Sequence, residues 1–355
     1  MAPKRFLYIG TYAPAQDPGI YIYEFDEEDG QFRLIEGFSG IENPSFLTPS
    51  HDGRFLYAVS ETDTYEGKPG GSVAAFAIDP QQGTLTFLNR EATLGRGPCH
   101  LVADRSGSCL IVANYTGGSA SVFPLLSDGK IGQIAQLVQH EGHGVNTSRQ
   151  EGPHVHSAFL SPGGQHVLLC DLGIDTISSY TLDRKTCHLE LCTETKAEPG
   201  AGPRHLAFHP SGKFVYVINE LNSTIVAYRY EPENGALQPL QTVSTLPEGF
   251  EGENTGAEIC VHPSGELLYG SNRGDDSIVA FRIDPQTGLL SFIERASVQG
   301  KTPRNFSITP NGRFLLVANQ DSNSVIVFSL DPDTGHLGAT GEALALSHPV
   351  CLKFV

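Results

Sequence analysis

The sequence predicts an all-β fold, a seven-bladed β-propeller with four antiparallel strands per blade. Three observations carry that prediction. One segment recurs six times, each copy being an apolar strand, a turn carrying Gly and a second apolar strand, usually followed by Asn. The turn glycines Gly53, Gly107, Gly164, Gly212, Gly265 and Gly312 are spaced evenly, at roughly 50 residues, which is the signature of a repeat architecture. A seventh copy is split across the termini: HPVCLKFV (His348 to Val355) matches the first strand of the unit, and KRFLYIGTY (Lys4 to Tyr12) matches the second. A blade built from both ends closes the ring and leaves no open sheet edge.

The copies in order are PSFLTPSHDGRFLYAVSE from Pro44, GPCHLVADRSGSCLIVANY from Gly97 and VHSAFLSPGGQHVLLCDL from Val155. GPRHLAFHPSGKFVYVINE from Gly202, GAEICVHPSGELLYGSNR from Gly256 and TPRNFSITPNGRFLLVANQ from Thr302 follow. The fourth copy shows the whole unit: RHLAFHP, KFVYVINE, TIVAYRYE and ALQPLQTV, the last two joined across PENG. The third-to-fourth turn recurs as DPQQG (79–83), DPQTG (284–288) and DPDTG (331–335). In such turns Pro fixes φ, Asp bonds the backbone and Gly takes the left-handed position. Even spacing of one unit over 355 residues predicts a single propeller domain spanning 1–355.

Composition narrows the class. The chain is 39% hydrophobic and 18% charged, with 39 Gly and 23 Pro for tight turns. No apolar run approaches the roughly 18 residues of a membrane span, and MAPKRFLYIG lacks the apolar core of a secretion signal. The expectation is a cytoplasmic protein, a monomer or weak homo-oligomer. A net charge of −17 argues against nucleic acid and anionic membrane as partners. Seven cysteines, an odd number, do not suggest a disulfide framework; Cys99, Cys109, Cys170, Cys260 and Cys351 read as free thiols packed in or beside strands. Cys187 and Cys192 flank His188 but point to opposite faces of a strand, so they do not share an ion.

Symmetry-related positions locate the candidate site. The start of the first strand and the end of the second lie at the same end of each blade, and around one mouth of the channel if the first strand is innermost. The first position holds Ser45, Cys99, His156, Arg204, Ala257, Arg304 and Val350, with His100, His205, Glu258 and Asn305 among the next neighbours. The second holds Tyr12, Glu61, Tyr115, Leu172, Glu220, Arg273 and Gln320. The column before these is mostly Asn (Asn114, Asn219, Asn272, Asn319) and reads as strand-end capping. The other two columns diverge from copy to copy and bring three arginines, a histidine and two acids to one mouth. Divergence at fixed geometry marks a site grafted on a repeat, although structural salt bridges between blades are the bland alternative. Long loops from Gln139, Leu246 and Glu61 are expected to rise around the same mouth.

Converging Arg204, Arg273 and Arg304 suit a carboxylate or phosphate, and His156 and Glu220 are the available proton carriers. His140, His143, His154 and His156 raise a metal reading; His154 and His156 share a strand face, but His140 and His143 fall in a polar loop and read as solvated, so neither a metal nor a cofactor is expected. GKT at 300–302 runs into Pro303 and is no phosphate loop, and no Ser sits in a G-x-S-x-G elbow.

GPRHLAFHPSGKFVYVINELNST, the HSA after Val155, YGSNR and TPRNF resemble the seven-bladed propeller lactonase family, which includes 6-phosphogluconolactonases and fungal carboxy-muconate cyclases. The resemblance runs over essentially all blades. It implies a catalytic set of one His, two Arg and one Glu, falling on His156, Arg204, Arg273 and Glu220. It implies a small anionic lactone as the partner, with Arg304, His205, Glu258, His154 and His100 as further candidates for binding it. His154 departs from the minimal pattern, since some members keep only the second His. The implied reaction is hydrolysis of 6-phosphogluconolactone in the pentose phosphate pathway. A cyclase or lactonase acting on a carboxylated muconate-type or other acidic lactone, and a non-catalytic protein-binding propeller, are the alternatives; the absence of Trp, and of mouth aromatics beyond Tyr12 and Tyr115, counts against the last.

Overall fold

A computed structural model describes residues 5–355; Met1 to Lys4, including the first residue of the expected terminal strand, lie outside the described residues. Seven four-stranded antiparallel sheets form the ring. Blade 1 comprises Leu47–Pro49, Phe55–Ser60, Ser72–Ile78 and Leu85–Ala92. Blade 2 comprises Pro98–Ala103, Cys109–Asn114, Ser119–Pro124 and Gln136–Gln139, and blade 3 Val155–Leu160, His166–Asp171, Thr176–Asp183 and His188–Lys196. Blade 4 is Pro203–Phe208, Phe214–Asn219, Thr224–Glu231 and Ala236–Ser244; blade 5 is Thr255–Val261, Leu267–Arg273, Ser277–Ile283 and Leu290–Ser297. Blade 6 is Pro303–Ile308, Phe314–Asn319, Ser324–Leu330 and Leu337–Ala345. Blade 7 closes the ring, with Pro349–Phe354 innermost and paired to Arg5–Thr11, then Ile20–Phe25 and Phe32–Phe38. Phe6 and Val355 exchange backbone hydrogen bonds in both directions at that seam.

The second strands read as unbroken apolar runs because both their faces are covered. In Phe214–Asn219 every residue is buried. Phe214, Tyr216 and Ile218 pack toward blade 5 on Ile259, Leu268 and Val279, while Val215 and Val217 pack toward blade 3 on Leu168 and Cys170. Alternation thus divides one strand between two inter-blade cores. The outermost strands are largely half-buried or exposed instead; in Leu290–Ser297 only Leu290 is buried.

Neighbouring blades interlock at the third-to-fourth turns. Gly83, at φ 75°, sits so close to the Phe6 ring that a Cβ would lie 2.5 Å from it. The same glycine-on-side-chain contact joins Gly129 to Phe55, Gly288 to Phe214 and Gly335 to Leu267. Between blades 2 and 3 the two positions are instead Cys187, at φ 52°, and Cys109, and they form a disulfide with Cα atoms 5.7 Å apart. This corrects the expectation of free, isolated thiols. The pairing joins cysteines 78 residues apart, and only the inter-blade register brings them together.

The innermost strands carry a β-bulge at their first turn into the channel. Pro98 pairs with Asn114 but His100 with Ala113; Pro203 pairs with Asn219 but His205 with Ile218; Pro303 pairs with Asn319 but Asn305 with Ala318. Blade 3 skips His156 in the same way. The extra residue is left unpaired and re-aimed, so Cys99, His156 and Arg304 line the mouth and Arg204 lies directly beneath it, while the residues that follow them face away into the deeper tier. The Asn column is scaffold as expected: Asn114 Nδ2 donates to Ser119 and Ser121 Oγ, and Asn272 Nδ2 to the Thr245 carbonyl.

Candidate active site

A cavity of about 250 Å³ opens at the predicted mouth, lined by Glu61, Cys99, Tyr115, Arg149, His156, Glu220, Thr255, Arg273 and Arg304. Its electrostatic centre is Glu220, at the end of the second strand of blade 4. One carboxylate oxygen accepts from Arg149 (2.5 Å), and the other from Arg204 Nε (2.9 Å) and lies 2.8 Å from Arg273. Burial alone would raise the Glu220 carboxyl, yet Arg273, Arg204 and Arg149 outweigh it and hold it well below the usual carboxylate range. Glu220 is therefore a permanent anion with both oxygens engaged.

The arginines differ in how far they are committed. Arg204 gives Nη1 to the Ala257 carbonyl (2.6 Å) besides its bond to Glu220, and burial, with Arg273 adjacent, pushes it down to about 10 against the opposing pull of Glu220. It lies beneath the cavity rather than in its wall. Arg273 donates to the Gly256 carbonyl (3.0 Å), and its buried Nε has no partner. Arg304 makes no ion pair among the described residues; its guanidinium lies 5.4 Å over the Tyr12 ring. Tyr12 donates to Glu61 (2.9 Å), which also accepts from Ser45. Four guanidinia thus face two carboxylates, a locally cationic site in a chain of net charge −17.

His156 lines the cavity from the bulge of blade 3. Burial, reinforced by Arg204, His205, Arg304 and Arg273, holds its imidazole well below the ordinary value, so it is neutral at neutral pH. Its Nδ1 is buried without a partner. Nε2 has no hydrogen-bond partner among the described residues and is the ring nitrogen left to the cavity.

The structure separates the other predicted residues by depth. His100, His205 and Glu258 do not line the mouth; they occupy the tier below, because the bulge sends consecutive residues to different levels. His100 is packed between Phe46 (4.1 Å between centroids) and Phe159 (4.8 Å). His205 Nδ1 lies 3.0 Å from Glu258, whose other oxygen accepts from Asn305. His154 stacks on the outer face of Tyr115 (4.6 Å) and donates Nδ1–H to its carbonyl (3.0 Å), so it braces a cavity wall and does not share the cavity with His156. His140 is not solvated: it is buried between Asp171 (2.7 Å) and the Tyr180 hydroxyl (2.9 Å), whereas His143 is exposed. No group of three His, Cys, Asp or Glu placed to hold a metal occurs among the described residues.

Sequence reasoning missed Arg149. It rises from the loop into blade 3, which is fixed by Gln150 donating to the Leu172 carbonyl and by Gly144 N–H bonding the Gln150 carbonyl. A lone Arg in a long insertion has no symmetry mates to stand out against. The loop from Glu61 turns away instead, with Tyr65 packed under Arg90 (4.6 Å), and gives only Glu61 to the cavity.

A family model described as a seven-bladed β-propeller lactonase matches residues 6–354. The chain is 35% identical over 352 residues to a 6-phosphogluconolactonase of Bacillus subtilis, covering 99% of each. It is also 35% identical to a 6-phosphogluconolactonase of Formosa agariphila, over 85% of this chain and 86% of that one. Among solved structures, a periplasmic gluconolactonase of Pseudomonas aeruginosa superposes with a TM-score of 0.92 at 35% identity, over 99% of both chains. With these matches spanning every blade and the divergent cluster gathered at one mouth, the chain belongs to the seven-bladed β-propeller lactonase family.

Proposed function

We propose that the chain, acting as one propeller domain over 1–355, hydrolyses 6-phospho-D-glucono-1,5-lactone to 6-phosphogluconate. The observation that carries this reading is a neutral, buried imidazole, His156, sharing a cavity with Arg304, a guanidinium that makes no ion pair among the described residues. His156 is the general base in preference to Glu220, since both oxygens of Glu220 are already taken by three arginines. Water attacks the lactone carbonyl and gives its proton to His156 Nε2. Arg273, in the wall beside Glu220, stabilises the oxyanion. The tetrahedral adduct collapses with cleavage of the ring C–O bond, and the imidazolium returns its proton to the departing alkoxide. Arg304, helped by Arg149 at the rim, takes the phosphate, while Arg204 positions Glu220 from below.

The test is initial rate on freshly generated 6-phosphogluconolactone, coupled to 6-phosphogluconate dehydrogenase, with chelator present and unphosphorylated gluconolactone as control. His156→Ala is expected to lower kcat by about 10²–10⁴. Arg304→Ala is expected to raise KM about 10–100-fold, the loss of a charge-assisted bond of roughly 1.5–3 kcal/mol. Small, equal effects of both substitutions would overturn the assignment.

A second reading has two observations behind it. The Pseudomonas neighbour is a periplasmic gluconolactonase, and the Cys109–Cys187 disulfide suits an oxidising compartment better than the cytoplasm. Faster turnover of the unphosphorylated control, indifferent to Arg304, would favour that substrate and compartment over the phosphorylated, cytoplasmic one.

A further inference from the structure

Under the cavity floor two ring nitrogens are buried with no partner among the described residues: Nδ1 of His156 and Nε2 of His205. Their rings meet edge to face, with centroids 5.1 Å apart and planes at 70°. Buried polar atoms are nearly always satisfied, and two orphans on touching rings call for one explanation.

The far side of His205 fixes its protonation. Nδ1 lies 3.0 Å from Glu258 Oε1, which also accepts from the Ile259 N–H (3.0 Å), while Oε2 accepts from Asn305. An ionised carboxylate can only accept, so His205 Nδ1 bears the hydrogen. Burial, against the pull of Glu258 and with Arg204 adjacent, pushes His205 down to about 4, so the ring is neutral and its Nε2 is a bare acceptor. The ring that meets it edge to face is His156, whose Nδ1 is the other orphan; no direct hydrogen bond joins the two nitrogens in the structure.

We propose that Glu258 and His205 are positioning residues that hold His156 in its Nδ1–H tautomer, so that its Nε2 lone pair faces the cavity. The observed part of the chain runs from the Glu258 carboxylate to His205 Nδ1–H; the proposal adds the last link, from His205 Nε2 to His156 Nδ1–H, across the edge-to-face ring contact. No proton needs to leave His205: when His156 Nε2 takes the proton of the attacking water, the carboxylate two rings away partly offsets the new charge. That matters here because Arg204, Arg273 and Arg304 all disfavour an imidazolium at His156. Around His205 the cations are Arg204 and Lys353, with His100 on its flank (5.1 Å), which leaves Glu258 as the counter-charge in that tier. The relay rests on the hydrolase reading for the step it assists, but the tautomer does not.

The tautomer is read first, by two-bond ¹H–¹⁵N correlation spectra of the whole, histidine-labelled protein, with His156→Gln identifying the signals. Protonated Nδ1 and bare Nε2 are expected at His156; the opposite tautomer overturns the relay whether or not any lactone is turned over. Kinetics read the consequence. His205→Phe, which suits the ring-lined tier, is expected to lower kcat on the order of 10²-fold with KM within about 3-fold. His205→Gln, which keeps an acceptor near the position of Nε2, should recover about tenfold of that loss. Glu258→Gln should move the acid limb of kcat/KM to lower pH. A folded His205→Phe with unchanged kcat, or an unmoved acid limb in Glu258→Gln, refutes the proposal. If wild-type protein turns over no lactone at all, the hydrolase reading fails and the spectrum still decides the tautomer.

Discussion

Replacing Glu220 by Gln keeps the side-chain volume and removes the charge that three guanidinia share. Arg204 is buried and Arg273 partly so, so the substitution leaves cations short of a counter-charge, and breaking buried pairs of this kind costs about 3–5 kcal/mol. Arg304 presents the opposite case. Its guanidinium has an aromatic face and the more distant Glu61 and Glu220 near it but no bonded anion, so Arg304→Leu removes little that stabilises the fold. Urea denaturation of the two variants separates the roles: Glu220→Gln is expected to lose several kcal/mol and Arg304→Leu to stay within about 1 kcal/mol of wild type. A comparable loss in both would place Arg304 in the structural ion network and remove it as a substrate contact. Much of this was legible residue by residue, because Arg204, Glu220, Arg273 and Arg304 each differ from their symmetry mates. What the columns could not assign was commitment: which arginine is saturated and which is free depends on distances of a few tenths of an ångström between blades.

At the scale of elements, the disulfide shows what repeats reveal and conceal. Five residues into the third-to-fourth turn the blades carry Gly83, Gly235, Gly288 and Gly335, and blade 3 carries Cys187. The facing position at the start of the second strand holds Phe6, His166, Phe214 and Leu267, and blade 2 carries Cys109. The substitution is paired, but the partners belong to different blades, so reading one unit at a time left both as thiols. Reduction should lower stability by about 2–4 kcal/mol, or roughly 3–5 °C in Tm for a chain of this length. It should leave kcat unchanged, because the bond lies at the end of the blades away from the mouth. Cys109→Phe with Cys187→Gly rebuilds the packing of the other interfaces, and its Tm should be insensitive to reductant; a double variant that melts well below reduced wild type would show that this interface cannot accept the ring. The bulge is the second feature a linear reading passes over. Placing one unpaired residue at the head of each inner strand turns neighbours such as Arg204 and His205 to separate tiers, which is why His100, His205 and Glu258, drawn from the same short motifs as the mouth residues, sit beneath the cavity.

For the whole molecule, the channel gathers three histidines whose burial keeps them neutral: His100, His156 and His205. Each has a folded-state pKa below its unfolded value near 6.5, so the unfolded chain binds more protons as pH falls. Stability from this source is full above pH 6.5 and declines on acidification, down to about 4 for His205 and further for the other two. Glu220 acts in the same direction at lower pH: its depressed pKa stabilises the fold above about 4.5 and that contribution is lost below. Because one proton corresponds to about 1.4 kcal/mol per pH unit, the three channel histidines contribute at most about 4 kcal/mol per unit between pH 6 and pH 5, to which His166, also lowered by burial, adds. His100→Leu removes one of them from an apolar niche between Phe46 and Phe159 and should cut the slope by up to about 1.4 kcal/mol per pH unit. Unfolding free energies from urea titrations at pH 7, 6 and 5, for wild type and His100→Leu, read this directly. Parallel, flat profiles would mean that the channel admits protons and water at His100, and that its lower tier is not the dry plug on which the neutrality of His156 depends.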